Sequence, residues 1–218
     1  MIDKLLSYIA PHHCYSCANI GSILCDNCKF YILEEPYEQC IQCDVPSQYG
    51  VCKSCQQKLP YSNAWIVGER KSVLENIIHN YKFRRNVAAV QVSADLLEKR
   101  LPYLPENTTI IPVPTITRHI RIRGYDHTRI LAEKVAKKRS LKCINSLKRN
   151  HNLVQVGTDA KTRRDQAKTA FFITEKLDTT RPYLLIDDVI TTGATVKYAA
   201  KALRDAGAQE IWIAALAR

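Results

Sequence analysis

One short stretch, residues 183–195, constrains the fold of this chain more than any other part of its sequence. It reads YLLIDDVITTGAT, and residues 183–186 form an apolar run with the length of a buried parallel strand. Two acids, Asp187 and Asp188, follow the run, and a helical pattern over residues 196–206 ends at Gly207. A strand, a polar loop and a helix in this order predict one half of an open α/β unit, in which ligands bind at the carboxyl ends of the strands.

The loop between this strand and this helix has the chemical groups that a phosphorylated sugar requires. Its backbone N–H groups, its hydroxyls and the positive end of the helix dipole suit a phosphate monoester. The carboxylates of Asp187 and Asp188 suit vicinal hydroxyls, a hydrated Mg²⁺, or both. In the alternative interpretation the acids only cap the helix and the loop residues only form a turn. The loop consists of Thr191, Thr192, Gly193, Ala194 and Thr195.

Residues 184–195 resemble the phosphoribosyl pyrophosphate (PRPP) signature of the type I phosphoribosyltransferases, in which an apolar strand and two acids precede a Thr-Thr-Gly-x-Thr loop. The resemblance implies an α/β fold with a mainly parallel sheet flanked by helices. The motif differs from a Walker loop, because the sequence has no Gly-Lys-Ser/Thr here.

Eight of the nine cysteines form four Cys-x-x-Cys pairs, which is the ligand spacing of zinc sites. Each zinc is expected to be structural, because four thiolates leave no open coordination position. Interleaved pairing, one empty site and redox-active pairs are the alternatives. Pairing in chain order predicts two Cys₄ sites, the first from Cys14, Cys17, Cys25 and Cys28, and the second from Cys40, Cys43, Cys52 and Cys55.

The 218-residue chain has the length of one ordinary domain and a small one. Residues 1–60 contain few large apolar side chains, so this segment needs a bound metal to fold. We therefore predict a double zinc ribbon over residues 1–60 and a phosphoribosyltransferase-like domain over residues 61–218.

The chain is strongly basic, with 32 Lys and Arg residues against 21 Asp and Glu residues and a formal net charge of +11. This excess suits a polyanion such as nucleic acid, or a phosphorylated small substrate, and a solubilising basic surface is the alternative. No apolar run reaches the length of about 18 residues that spans a bilayer. Residues 1–14 lack the order of a secretory signal, so we predict a cytoplasmic location without a membrane span.

Two basic segments of the larger domain follow predicted secondary structure. Lys82 ends a helical pattern over residues 73–82, where it either stabilises the helix end or contacts an anion. Arg123 and Gly124 belong to an arginine-rich segment, residues 117–125, which we expect to be an exposed loop that binds a diphosphate or is merely solvated. Further patterns predict helices over residues 87–101 and 126–139 and strands over residues 63–68, 108–113, 141–147, 170–173 and 209–216.

Residues 148–168 carry much charge and little apolar periodicity. A long loop of this kind beside a phosphate site predicts a mobile lid that closes over the substrate. Arg163, Arg164 and Lys168 would then bring positive charge to a pyrophosphate.

Essentially the whole chain resembles the ComF (ComFC) family of amidophosphoribosyltransferase-like competence proteins. Pro112-Val113-Pro114 resembles the family's strand end, and Arg123-Gly124-Tyr125 resembles its Arg-Gly-aromatic pyrophosphate loop. Lys82-Phe83 resembles its Lys-aromatic pair, and Gln155 and Arg163 keep its spacing across the flexible loop.

Three places depart from the family pattern. Asp126-His127 stands where Asn-Gln is usual, Thr158 replaces a Leu, and Gln166 replaces an Asn. These changes leave the residues expected around the ribose phosphate intact.

The resemblance implies a protein that binds PRPP and Mg²⁺ and transfers phosphoribosyl to a nitrogen nucleophile. Asp187 and Asp188 would hold the ribose hydroxyls, and residues 191–195 would hold the 5-phosphate. Arg123, Gly124 and Lys82 would hold the pyrophosphate with Mg²⁺. The family's association with transformation implies a role in DNA uptake. The alternative is a non-catalytic competence factor that uses the same fold to bind single-stranded DNA alongside other DNA-uptake proteins.

Overall fold

The structure is a computed structural model that describes residues 12–83, 86–150 and 170–218. Within these ranges two short N-terminal helices precede a mixture of helices and strands. In chain order the elements are α1 (Asp26–Glu34), α2 (Lys53–Gln56), β1 (Asn63–Gly68), α3 (Ser72–Phe83), α4 (Val87–Arg100), β2 (Thr109–Pro112), α5 (Thr117–Arg123), α6 (His127–Arg139), β3 (Lys142–Cys143), β4 (Leu147–Arg149), β5 (Phe171–Ile173), β6 (Pro182–Val189), α7 (Ala194–Asp205) and β7 (Glu210–Ala217). Pairs of helices follow β1 and β2, and one helix follows β6.

Five strands form one parallel sheet in the order β1-β7-β6-β2-β3. Strand β6 lies at its centre and is apolar on both faces, because helices cover both sides of the sheet. Leu184 and Ile186 point into one core, whereas Tyr183 and Leu185 point into the other, as the alternation of side chains along a strand requires. The sheet therefore separates two hydrophobic cores.

Each core is closed by its own set of elements. Helices α3, α4 and α6 cover one face of the sheet, and their buried residues include Ile77, Leu97 and Leu131. Helix α7 covers the other face together with a small antiparallel sheet of β4 and β5. The mainly parallel α/β fold predicted from the sequence is thus confirmed.

The N-terminal cysteine-containing segment packs against the same two cores. Ile23 and Leu24 join the first core, and Ile41 and Val51 join the second. Gly50 lies so close to β1 that a Cβ atom there would be 2.0 Å from the carbonyl oxygen of Ala64, so only glycine fits. The predicted division at residue 60 stays a prediction, since both cores include residues on either side of it.

Two local predictions were wrong. The arginine-rich segment after β2 is the helix α5, which begins after Pro114 and ends at Gly124 in the left-handed conformation (φ 78°). The strand predicted over residues 141–147 is divided between β3 and β4, which belong to different sheets. Apolar periodicity over so few residues cannot distinguish one continuous strand from two short ones.

Strand β4 also takes up the first residues of the predicted lid, and most of the rest of that lid lies outside the described residues. Arg163, Arg164, Lys168 and Gln155 are all in that undescribed part. Among the described helices, none is both long enough and apolar enough to cross a membrane. The cytoplasmic location stays a prediction.

Candidate functional site

A polar cavity of about 210 Å³ lies at the carboxyl ends of β2 and β6. The chain leaves β2 through α6 on one face of the sheet and leaves β6 through α7 on the other, so the two strands flank a topological switch point. Ligands of open α/β sheets bind at such points. The cavity is lined by Lys82, Val113, Pro114, Thr115, Ile116, His119, Arg123, His127, Thr128, Arg149, Asp187, Asp188 and Thr195.

The predicted acid pair lies in this cavity, and its two carboxyl groups differ in environment. Asp188 is almost fully buried, and its Oδ2 atom lies 2.9 Å from Lys82 Nζ and 2.5 Å from His127 Nε2. Asp187 is half-buried on the cavity wall and accepts a hydrogen bond from the backbone N–H of Asp188 at 2.8 Å.

The pKa values of the two acids are driven apart. Burial, and then the charge of Asp188, raise the pKa of Asp187 to about 7. Burial acts in the same direction on Asp188, but the hydrogen bond from His127 and the charge of Lys82 outweigh it and lower the pKa of Asp188. The pair therefore carries one firmly ionised carboxylate and one that titrates near neutral pH.

His127 is one of the two adjacent residues that depart from the family pattern, and the other, Asp126, helps to place it beside Asp188. The side chain of Asp126 caps α6 by accepting the backbone N–H of Arg129 at 3.2 Å, so His127 becomes the first residue of the helix. The hydroxyl of Tyr81 donates to the carbonyl oxygen of His127 and holds the backbone there. The imidazole is consequently fixed between Asp188 and Arg123, whose Nη1 atom lies 3.1 Å from Nδ1 of the ring.

Two arginines stacked on aromatic rings face the acids. The guanidinium of Arg123 lies 4.8 Å from the ring centroid of Phe83, and that of Arg149 lies 5.0 Å from that of Phe171. Burial lowers the pKa of Arg149, and the charge of Asp187 opposes this shift. Stacking restricts the orientation of a guanidinium, and the planar fork of a guanidinium suits phosphate oxygens.

The Thr-Gly loop is open to solvent at the edge of the cavity. Thr191, Thr192 and Thr195 are exposed, whereas Gly193 is buried and left-handed at φ 72°. Within the part of the chain that the structure describes, the backbone N–H groups of Thr192 and Gly193 donate to no other residue. The groups predicted to bind a phosphate are therefore available for one, and Thr195 brings them into contact with the cavity.

Among the predicted site residues that the structure describes, Lys82, Arg123, Asp187, Asp188 and Thr195 line this cavity, whereas Thr191, Thr192, Gly193, Ala194 and Gly124 do not. Gly124 instead lines a neighbouring cavity of about 290 Å³ with Tyr125 and Val87. Gln155 and Arg163 lie outside the described residues.

Several cavity residues were not among the predicted site residues. His127 had a signal, because it stands at a departure from the family pattern. Arg149 had no such signal in the sequence, since it is one of many basic residues around the predicted lid. It reaches Asp187 only through the pairing of β4 with β5.

The eight paired cysteines form two groups of four in chain order, as predicted. Within each group the four sulfur atoms lie within 4.8 Å of one another. The Sγ–Sγ distances include 3.6 Å for Cys17–Cys25 in the first group and 3.7 Å for Cys43–Cys52 in the second. Four thiolates about 2.3 Å from a tetrahedral zinc ion are about 3.8 Å apart, so each group has the size of a closed Cys₄ site. This geometry confirms the sequential pairing over the interleaved one.

The same turn builds the first half of both clusters. Ala18 N–H donates to Cys14 O and Asp44 N–H to Cys40 O, each at 2.9 Å. Both Ala18 and Asp44 are left-handed, at φ 62° and φ 59°. The second half of each cluster starts a short helix, because Cys25 and Cys52 occupy the N-cap positions of α1 and α2.

The parallel sheet with an acid pair and a Thr-Gly loop at its switch point defines a phosphoribosyltransferase-like α/β protein joined to a two-cluster cysteine module. The chain is 31% identical over 208 residues to competence protein F of Haemophilus influenzae, covering 89% of this chain and 90% of that protein. It belongs to the ComF (ComFC) family of competence proteins.

Two further relatives have lower identity to this chain. Competence protein ComFC of Streptococcus pneumoniae is 25% identical, with coverage of 92% of this chain and 90% of that one. DNA utilization protein YhgH of Escherichia coli K12 is 29% identical, with coverage of 82% and 83%. No family model matches the sequence.

Among solved structures, the glutamine PRPP amidotransferase of Bacillus subtilis, complexed with ADP and GMP, matches 63% of this chain but only 30% of its own, with a TM-score of 0.45 and 17% identity. A hypoxanthine phosphoribosyltransferase of Staphylococcus aureus matches with a TM-score of 0.34 and 13% identity, over 65% of this chain and 62% of its own.

Proposed function

We propose that the chain binds PRPP with Mg²⁺ at the switch-point cavity and transfers its phosphoribosyl group to a nitrogen acceptor, in the service of DNA uptake. One observation carries the proposal: the acid pair, Thr195 at the end of the open Thr-Gly loop, and a set of stacked or buried cations line one cavity. A sugar with phosphates at both ends requires these three kinds of group.

The 5-phosphate of PRPP would bind at residues 191–195. The free N–H groups of Thr192 and Gly193, the exposed threonine hydroxyls and the N-terminus of α7 supply donors and partial positive charge there. The twelve-residue helix α7 is long enough for a full N-terminal dipole.

The ribose hydroxyls and the pyrophosphate would bind on the opposite side of the cavity. Asp187 and Asp188 would accept from the hydroxyls and hold Mg²⁺, which neutralises negative charge on the leaving group. Lys82 and Arg123 would contact the pyrophosphate oxygens, so Lys82 would turn from Asp188 toward the ligand when PRPP binds.

In the proposed reaction the bond between C1 and the pyrophosphate oxygen breaks, and a bond from the acceptor nitrogen to C1 forms. The nitrogen loses a proton, and the pyrophosphate leaves with the bonding electrons. Because C1 gains positive charge on the way, the contribution of the protein is to position both partners and to stabilise separated charge.

The two cysteine clusters would each hold one structural Zn²⁺. The sulfur separations fit a tetrahedral ion, and four thiolates leave no position for a substrate. The metal would supply folding free energy to a segment that has little apolar core of its own.

A second candidate function is single-stranded DNA binding without catalysis. Helix α5 exposes Arg118 and Arg121 beside the cavity, and Phe83 is 57% exposed next to Arg123. Basic side chains interleaved with an exposed aromatic ring suit the backbone and the bases of a single strand. Relatives named as competence and DNA utilization proteins agree with either candidate.

Isothermal titration calorimetry of the full chain with PRPP and Mg²⁺ tests the first proposal. We expect saturable binding that ribose 5-phosphate and inorganic pyrophosphate each compete away, because each occupies one end of the cavity. Absence of binding to zinc-loaded, folded protein would eliminate the proposed transferase and leave the DNA-binding candidate.

A further inference from the structure

The side chain of Arg218 connects the second cysteine cluster to the Thr-Gly loop. Its Nη1 atom donates to the carbonyl oxygen of Thr191 at 2.7 Å, and its Nη2 atom donates to Oδ1 of Asp44 at 2.6 Å. Asp44 directly follows the cluster residue Cys43. One guanidinium, only 17% exposed, thus joins three segments that are far apart in the sequence.

The cluster side of this connection is itself held in place. The hydroxyl of Tyr37 donates to Oδ1 of Asp44 at 3.2 Å, and the Tyr37 ring lies 5.9 Å from the Arg218 guanidinium. Burial is the largest of the effects that raise the pKa of Tyr37 to about 12, so its hydroxyl remains a donor at neutral pH. The carboxylate of Asp44 therefore accepts two hydrogen bonds that fix its direction.

The loop also rests on the second cluster through its backbone. A Cβ atom at Gly193 would lie 3.4 Å from the carbonyl oxygen of Ile41, which is between the ligands Cys40 and Cys43. Ile41 is fully buried in the same core as Ile190 and Val196, which flank the loop. No comparable contact with the loop involves the first cluster, whose buried residues Cys14 and Cys28 lie in the other core of the described chain.

The bond to Thr191 determines the direction of the next donor. In a trans peptide the C=O of one residue and the N–H of the next point in opposite directions. Because Arg218 draws the Thr191 carbonyl toward Asp44, the N–H of Thr192 is directed away from the cluster and cannot turn to it. This N–H is one of the free donors of the loop.

We infer that the second cysteine cluster is a positioning element of the phosphate-binding loop, and that Arg218 and Asp44 transmit its position to that loop. This inference rests on the proposed function, because it assigns the support of the proposed 5-phosphate subsite. Arg218 is a positioning residue that acts through the Thr191 peptide. Metal bound in the second cluster and phosphate bound at the loop should then each strengthen the binding of the other. Phosphate should not change the binding of metal in the first cluster.

Calorimetry with two separate ligands tests the inference on zinc-loaded full-length chain. Ribose 5-phosphate probes the loop, and inorganic pyrophosphate with Mg²⁺ probes the other end of the cavity. For Arg218→Gln we expect the Kd of ribose 5-phosphate to rise about tenfold while the Kd of pyrophosphate is unchanged. Asp44→Asn should shift the same Kd in the same direction with two zinc ions retained, since Asn tolerates the left-handed backbone at this position.

Arg204→Gln is the matched control. Its guanidinium also bonds to backbone carbonyl oxygens, those of Gln209 and Pro60, but it does not contact the loop. Both Kd values should stay at the wild-type level in this variant. If Arg218→Gln fails to fold, judged by zinc content and thermal midpoint, Asp44→Asn decides the test.

A second measurement uses the unaltered protein. With ribose 5-phosphate present, a zinc chelator should remove one of the two zinc ions more slowly, and the rate for the other should not change. The inference is overturned if wild-type protein binds ribose 5-phosphate and both variants bind it equally well. It is also overturned if the variants weaken the binding of ribose 5-phosphate and of pyrophosphate to the same extent. Wild-type protein that binds neither ligand would instead remove the proposed function.

Discussion

The Nε2 atom of His127 lies 2.5 Å from the Oδ2 atom of Asp188, and both residues are almost completely buried, at 3% and 5% exposure. Lys82 contacts the same oxygen from the other side at 2.9 Å. Asp188 thus has two internal cationic or donor partners before any ligand binds. For the neighbouring Asp187, burial and the charge of Asp188 outweigh the backbone hydrogen bond and the charges of Lys82 and Arg149, so the pKa of Asp187 is the one raised to about 7.

Replacing His127 should destabilise the fold. In His127→Ala the buried Asp188 carboxylate retains only Lys82, and we expect a loss of about 2–3 kcal/mol in the free energy of unfolding at pH 7. His127→Gln should lose less, because the amide can still donate to Asp188. Urea unfolding of zinc-loaded protein measures both. His79→Ala, at an exposed position on α3, is the control, and a loss there equal to that of His127→Ala would contradict the interpretation.

The stability of the wild-type protein relative to Asp187→Asn should depend on pH. The folded protein holds a proton on Asp187 up to a pKa of about 7, whereas the unfolded chain releases it near 3.8. The contribution of Asp187 to the free energy of unfolding is therefore fully present below pH 3.8 and is lost as pH rises to about 7. Across this window the wild type should lose up to about 4 kcal/mol relative to the variant. Urea unfolding at about pH 5, 6, 7 and 8 follows the upper part of this change.

Asp178 provides a control of opposite sign for that experiment. Hydrogen bonds from Thr180 and Arg181 lower the pKa of this exposed carboxyl to about 2. Any stability it contributes is present above its unfolded pKa of 3.8 and is lost as pH falls toward 2. Asp178→Asn should consequently show no change relative to the wild type between pH 5 and pH 8. A wild-type profile parallel to that of Asp187→Asn would contradict the raised pKa.

Removing either acid of the pair should weaken the binding of PRPP. For Asp187→Asn and Asp188→Asn we expect the Kd of PRPP with Mg²⁺ to rise about tenfold or more, because a charged acceptor for the ribose hydroxyls and the metal is lost. Calorimetry gives the Kd, and metal analysis should show the zinc content unchanged. Asp178→Asn lies outside the cavity and should bind as the wild type does. An unaltered affinity in both cavity variants would exclude the proposed substrate site.

Purified protein should contain about two zinc ions per chain. Cys17→Ser should remove the ion of the first cluster and Cys43→Ser that of the second, since each group of four is closed by its own ligands. Elemental analysis counts the ions, and limited proteolysis reports whether residues 12–60 remain folded. A well-folded protein that contains almost no metal would refute the assignment of both clusters as zinc sites.

The DNA-binding candidate predicts a steep dependence on salt. Binding of a labelled single-stranded oligonucleotide should weaken linearly on a log–log plot, and Arg118→Gln/Arg121→Gln should reduce the slope by about 1.4 if both side chains contact phosphates. Fluorescence anisotropy measures the series. Lys197→Gln, at an exposed position on α7, is a control that removes one positive charge away from α5. No binding at low salt would exclude this candidate.

The predictions that held concern features whose information is local in the sequence. The apolar run, the two acids and the Thr-Gly loop predicted β6, the cavity edge and the start of α7. Cys-x-x-Cys spacing predicted both clusters, because two ligands from one tight turn need only a few residues. The predictions that were wrong, the loop at α5 and the single strand at β3 and β4, concern short segments with no clear period.

The sequence by itself therefore determined the fold class, the two cysteine clusters and the family. Only the tertiary structure decided which distant residues complete the site. His127 reaches Asp188, Arg149 faces Asp187, and Arg218 joins Asp44 to Thr191 because the strand order β1-β7-β6-β2-β3 brings these segments to one edge of the sheet. Strand order depends on the free energy of packing the whole sheet between two cores, and no local pattern of residues encodes it.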